Sequence, residues 1–256
     1  MRIESCGLTN PGLKRSHNED HFACADDIGL YLVADGMGGH AAGEIASSAA
    51  IGEIIDFMRR FRAERDLTWP YDFNPQLNAA ENALVTAILM ANQAVCNQAN
   101  ENQAYGGMGT TIVSLMIYDS QGAVAHVGDS RLYRLRGSEF SLLTFDHSWV
   151  NEQLRQNVIT EQEAKSHRWR NVITRALGNR TDLQVDIEAV SLAPGDTYLL
   201  CTDGLSGMVC DEEMQRILQD SQNDLDKACR QLIAQANANG GIDNTTAVVV
   251  RIDELD

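Results

Sequence analysis

A chain of 256 residues is long enough for one large domain or two small ones, and a hydrophobic content of 44% is that of a globular protein with a full core. The net charge of −16, from 20 basic against 36 acidic side chains, argues against nucleic acid or an anionic membrane as the main partner. Six scattered cysteines with no CxxC pair, no signal-peptide core after Met1 and no apolar run of bilayer length make a soluble, cytoplasmic protein the expectation.

Taken in order, residues 2–8 and 20–25 read as short strands around a polar loop, and 28–34 as a third, strongly apolar strand. From about 42 to 62, Ile51, Ile54, Ile55, Met58 and Phe61 recur at helical spacing. Residues 69–75, with Pro70 and Pro75, break that pattern as a loop. A second long helix then places Leu77, Leu84, Ile88, Ala91 and Val95 on one face. A glycine-flanked run, Gly106-Gly107-Met108-Gly109-Thr110-Thr111, leads into a strand ending at Ile117. Segments 122–127, 130–136 and 139–143 form a meander, and 148–178 turns polar and helical, with a capping box at Thr160-Glu161-Gln162-Glu163. Strands at 183–190 and 196–202, helices at about 211–219 and 224–238, and a strand at 245–252 complete the chain. No linker or repeat divides it, so one domain of mostly antiparallel sheets with helices packed outside is expected.

Four aspartates sit at the margins of these apolar runs. The run 30–34 ends in Asp35-Gly36, and the run 198–202 ends in Asp203-Gly204. Asp129 follows 124–128, and Asp243 stands just ahead of the strand 245–250. Gathered in one fold, such carboxylates repel each other unless cations lie between them. An all-oxygen set without clustered Cys or His suits Mg²⁺ or Mn²⁺. Two such ions about 3.5–4 Å apart can generate a hydroxide near neutral pH and neutralise a phosphoryl group under attack. Asp35 is the bridging candidate, with the Gly36 carbonyl beside it. Asp203 and Asp243 are terminal ligands, and Glu19 and Asp20 could hold waters from the opposite side. Arg15 is either a solvated loop cation or a bidentate phosphate hook. His40 is either structural or the donor of a proton to a leaving alkoxide. Asp129 is either a ligand for a third metal or a partner for Arg131.

In sequence order, the chain carries Arg15-Ser16-His17-Asn18-Glu19-Asp20, then Val33-Ala34-Asp35-Gly36-Met37-Gly38-Gly39-His40, then Gly107-Met108-Gly109-Thr110-Thr111. These are followed by Val127-Gly128-Asp129-Ser130-Arg131, Asp146-His147-Ser148, the stretch 171–178, Thr202-Asp203-Gly204-Leu205 and Gly241-Ile242-Asp243-Asn244-Thr245-Thr246. Together these motifs resemble the metal-dependent serine/threonine protein phosphatases (PPM family, type 2C), in their compact bacterial branch. The resemblance implies an α+β, four-layer αββα sandwich over 1–256, with a flap at about 146–178. It implies hydrolysis of phosphoserine and phosphothreonine by a hydroxide bridging two Mn²⁺ or Mg²⁺ ions, in opposition to a serine/threonine kinase and by a monomer. Asp35 and Gly36 would bridge, Asp203 and Asp243 complete one ion, Glu19 and Asp20 act through water, and Arg15 bind substrate phosphate. Asp129 with Asp203 would hold a third, weaker ion. The chain departs from the family at Met37, where animal members carry a histidine, and at Asn157 and His167-Arg168 in the flap. The segment 63–76 matches nothing assigned. Two rival readings are a regulatory pseudophosphatase, opposed by the intact Asp35, Asp203 and Asp243, and a two-metal nuclease, opposed by the negative charge.

Overall fold

The computed structural model describes residues 1–38, 42–64 and 69–255, apart from the side chains of Lys165 and Ser166. Strands β1 (Arg2–Asn10), β2 (Asp20–Ala25) and β3 (Leu30–Met37) come first. The long helices α1 (Ala42–Ala63) and α2 (Ala79–Glu101) follow. Strands β4 (Gly109–Thr110), β5 (Ile112–Tyr118), β6 (Gln121–Val127), β7 (Arg131–Arg136) and β8 (Glu139–Leu142) form the central meander. Helices α3 (Trp149–Arg155) and α4 (Glu161–Ser166) lead to β9 (Asp186–Val190) and β10 (Thr197–Cys201). The chain closes with α5 (Asp203–Ser206), α6 (Asp211–Asp220), α7 (Leu225–Ala238) and β11 (Thr245–Glu254).

One sheet runs β1-β11-β10-β7-β8 and the other β2-β3-β5-β6-β9, with β4 added to β3. All the pairings are antiparallel. Three apolar cores make the layers. In the first, Ile54, Phe57, Leu84 and Ile88 of α1 and α2 cover Leu30, Leu32 and Ala125 of the second sheet. In another, Met214, Ile217, Leu232 and Ile233 of α6 and α7 cover Leu199 and Val249 of the first sheet. Between the sheets lie Tyr31, Val33, Val113, Leu115, Tyr198, Leu200, Val248 and Val250. The order is helix, sheet, sheet, helix, the expected α+β sandwich. Among the described residues no helix is long and apolar enough to cross a membrane.

The differences from the sequence reading have local causes. The second helix starts at Ala79 and not near Leu77, because Asn78 accepts from the Glu81 N–H while the Glu81 carboxylate accepts from the Asn78 N–H. The strand expected after the glycine-flanked run forms as β5, but Gly109–Thr110 of the run itself make the separate strand β4, divided from β5 at Thr111, whose N–H turns aside to the Asp35 carbonyl (2.9 Å). The capping box expected at Thr160 does start a short helix, and segment 148–178 holds a second one with Ser148 as its side-chain N-cap. In the loop at 69–75, Trp69 packs edge-on against Phe61 and Phe73. The outermost strand β1 pairs along its whole length with β11, from Arg2 opposite Glu254 to Asn10 opposite Thr245.

Candidate active site

The pleat of the strands decides which side chains meet. Successive residues of a strand point to opposite faces. Along β3, Leu30, Leu32 and Ala34 face the helices, whereas Tyr31 and Val33 face the other sheet. Asp35 is the next inward position. Along β2, Phe22 and Cys24 point inward, so Asp20 does too, directly opposite Asp35 in the ladder. From the facing sheet, the inward series Tyr198, Leu200 and Val250, Val248 continue to Thr202 and Thr246. Both hydroxyls donate to Asp20 Oδ2, at 2.9 and 2.7 Å. Asp203 follows Thr202 and opens α5. Asp243 stands on the turn ahead of β11, and Asp129 follows the end of β6.

Asp35 thus lies in the field of Asp20, Asp203, Asp129 and Asp243. Burial, reinforced by those neighbours, holds its carboxyl well above the usual range. Burial first, then Asp203 and Asp243, pushes Asp20 up to about 7 against the two threonine hydrogen bonds. Burial and Asp203 push Asp129 up to about 7. Asp203 is raised by burial and Asp243 and shares a hydrogen bond with Asp35.

Main-chain ties hold these groups together at a close approach. The Asp35 N–H donates to Thr111 Oγ1 (2.9 Å), and the Asp35 carbonyl accepts from the Thr111 N–H and the Thr110 hydroxyl. At Gly36 an added Cβ would stand 2.1 Å from the Gly43 carbonyl and 2.5 Å from that of Glu19, so only glycine fits there. Asn244 locks the loop that bears Arg15 and Glu19. Its Oδ1 accepts from the Glu19 N–H (2.8 Å), and its Nδ2 donates to the carbonyls of Pro11 and His17. Thr111, Thr202, Asn244 and Thr246 were visible inside the motifs, but nothing in their spacing announced these supporting bonds.

The structure brings together Asp20, Asp35, Gly36, Asp129, Asp203 and Asp243, with Glu19 beside Gly36 through a 3.1 Å main-chain bond. Arg15 donates to Asp243 Oδ2 at 2.7 Å, a partner not expected from the sequence. The alternative in which Asp129 pairs with Arg131 is not what forms, because Arg131 takes a bidentate hold on Asp146. His40 lies outside the described residues.

One atom tests the donor set against a hard cation. Asp20 Oδ1 is buried without a hydrogen-bond partner among the described residues, an arrangement that costs energy unless a cation or an ordered water meets it. Oxygen-only donors and surplus negative charge fit a pair of divalent ions. Metal-free protein therefore carries a definite pH signature. Asp20 and Asp129 bind protons in the native state up to about pH 7, whereas the unfolded chain has shed them by about pH 4. Their contribution to stability falls as pH rises through that window. Cation binding displaces the same protons. Mn²⁺ affinity is expected to rise steeply from pH 6 to 8, with protons released on binding. Calorimetry in buffers of different ionisation enthalpy measures both.

The sequence profile described as protein phosphatase 2C matches residues 14–240. The chain belongs to the protein phosphatase 2C family. It is 36% identical over 252 residues to the protein phosphatase PhpP of Streptococcus pneumoniae, covering 97% of each chain. It superposes with a TM-score of 0.85 and 32% identity on the crystal structure of the Mycobacterium tuberculosis serine/threonine phosphatase PstP/Ppp, covering 98% of this chain and 99% of that one. The catalytic domain of PstP solved with two manganese ions matches at a TM-score of 0.81 and 31% identity, over 98% and 99% of the two chains. Membership makes this protein phosphatase 2C chain an enzyme of the serine/threonine protein phosphatase class.

Proposed function

We propose that this protein phosphatase 2C member hydrolyses phosphoserine and phosphothreonine in proteins modified by a cytoplasmic serine/threonine kinase. It acts as a monomer whose segment 146–178 serves as a flap beside the cleft. The observation that carries this reading is the convergence of Asp20, Asp129, Asp203 and Asp243 on Asp35, with an Asp20 Oδ1 that has no partner among the described residues. Asp35, with the main-chain oxygen of Gly36, and Asp203 and Asp243 would hold the two Mn²⁺ or Mg²⁺ ions. Glu19 and Asp20 would act through water, and Asp129 with Asp203 would hold a third, weaker ion. When bound, the pair supplies a hydroxide nucleophile near neutral pH and neutralises phosphoryl charge.

The chain's own residues do the rest. Arg15 covers Asp243 in the free protein. With cations offsetting that carboxylate, its fork is released to take two phosphate oxygens. The Thr110-Thr111 bonds hold the main chain of Asp35 in place. His40 is the side chain proposed to return a proton to the leaving serine or threonine oxygen.

The test uses p-nitrophenyl phosphate and three phosphopeptides bearing phosphoserine, phosphothreonine or phosphotyrosine, with and without Mn²⁺. Turnover is expected only with metal, to favour the serine and threonine peptides, and to fall about 100-fold or more in Asp203→Ala. Equal turnover in EDTA, or an unaffected Asp203→Ala enzyme, sinks the proposal.

A further inference from the structure

His147 lies in a motif to which the proposed chemistry assigns no task, yet it is 1% exposed and bonded on every side. Its main-chain N–H donates to the Gly128 carbonyl (2.8 Å), and its Nδ1 accepts from the Gly128 N–H (3.1 Å). One residue therefore grips both polar groups of Gly128, the residue immediately before Asp129. The Gly128 backbone has a φ of +110°, a conformation open mainly to glycine. A Cβ there would stand 2.6 Å from Thr111, the residue that also holds Asp35.

On its far side, His147 Nε2 meets Asp186 Oδ2 at 3.2 Å, and Arg175 binds the other Asp186 oxygen at 2.9 Å. The His147 carbonyl accepts from the Thr174 N–H (2.8 Å), at the end of the 148–174 segment. The ring stacks on His126 with centroids 4.8 Å apart. Burial, with help from His126, lowers its pKa.

His126, His147 and Asp186 have the composition of a metal site, but the tautomer opposes that assignment. Because Nδ1 receives an N–H, the single ring proton sits on Nε2 and is donated to Asp186. A metal on Nε2 would move the proton to Nδ1, against the Gly128 N–H.

We propose instead that His147 is a positioning residue. It fixes Asp129 by clamping the peptide ahead of it, Asp186 holds its tautomer, and the same residue anchors the root of the 148–174 segment. The link to metal rests on the proposed role of Asp129 as a ligand; the clamp itself does not.

The primary test is amide hydrogen exchange at Gly128–Ser130 in metal-free protein, alongside Mn²⁺ titration of the weaker site. Asparagine can present Oδ1 where Nδ1 stands, whereas alanine cannot. His147→Ala is expected to speed exchange there about tenfold and to weaken the weaker Mn²⁺ site about tenfold. His147→Asn should restore both. Asp186→Ala should speed exchange in the native background but not in His147→Asn, where no tautomer needs fixing. Exchange at native rates in both His147→Ala and Asp186→Ala overturns the proposal, as does His147→Asn behaving like alanine. If alanine does not fold, the comparison of Asp186→Ala in the two backgrounds decides alone. Absence of Mn²⁺-dependent turnover in the unmodified protein would count against the proposed function and leave the exchange result to judge the clamp.

Discussion

Asp35→Asn is expected to make the metal-free protein more stable while removing its activity. Asp35 is raised by burial and by the field of four other carboxylates. An asparagine keeps its size and removes its charge, while the main-chain bonds to Thr110 and Thr111 do not depend on the side chain. In EDTA at pH 7.5 the melting temperature should rise by several degrees, as about 1 kcal/mol of relieved repulsion gives roughly 2–4 °C in a chain of this size. Turnover of p-nitrophenyl phosphate with saturating Mn²⁺ should drop by about 10²–10³-fold or more, and the stabilisation that Mn²⁺ gives the unmodified protein should largely vanish. Thermal melts with and without metal, read beside kcat, check all three. A lower melting temperature in EDTA would show that Asp35 is already compensated by groups of the fold, and the trade of stability for function would not hold here.

Arg15→Ala is expected to act on both substrate and metal binding, in opposite senses. A charge-assisted hydrogen bond contributes about 1.5–3 kcal/mol, so loss of the phosphate fork should lower kcat/KM for a phosphopeptide about 10–100-fold. Most of the change should fall on KM if the fork binds phosphate equally in ground and transition states. Arg15→Lys should recover only part of it, because an ammonium cannot make the paired contact. In the free protein Arg15 is the cation that offsets Asp243. Its removal should therefore tighten Mn²⁺ binding modestly, since the metal no longer displaces a salt bridge. Kinetics over a range of peptide concentrations and a Mn²⁺ titration separate the two effects. Unchanged KM with weaker metal binding would assign Arg15 to holding the metal ligands and not to the substrate.

Much of this site was legible because strand periodicity and carboxylate chemistry are both local. An apolar run of alternating faces that ends in Asp35, and another that ends in Thr202-Asp203, announce buried charge wherever the strands lie. Their convergence was legible only through the family resemblance, because pairing between strands far apart in sequence leaves no local trace. The helix boundary at Asn78 was missed by two residues because its reciprocal cap with Glu81 competes with the apolar periodicity that begins at Leu77. The supporting roles of Thr111, Asn244 and His147 depend on bonds to residues 76, 225 and 19 positions away. No spacing rule encodes these. The salt bridge of Arg15 with Asp243 follows from the excess of negative charge in the cleft, which recruits the cation nearest in space.

The full-length pairing of β1 with β11 has a consequence for anything joined to this enzyme. Asn10 and Thr245 close one end of that ladder, beside Asp243 and Asn244, whereas Arg2 and Glu254 close the other. Eight residue steps at about 3.4 Å separate the two ends by roughly 27 Å. A tether, tag or neighbouring domain attached at either extremity would therefore leave from the pole remote from Asp243 and the aspartate cluster.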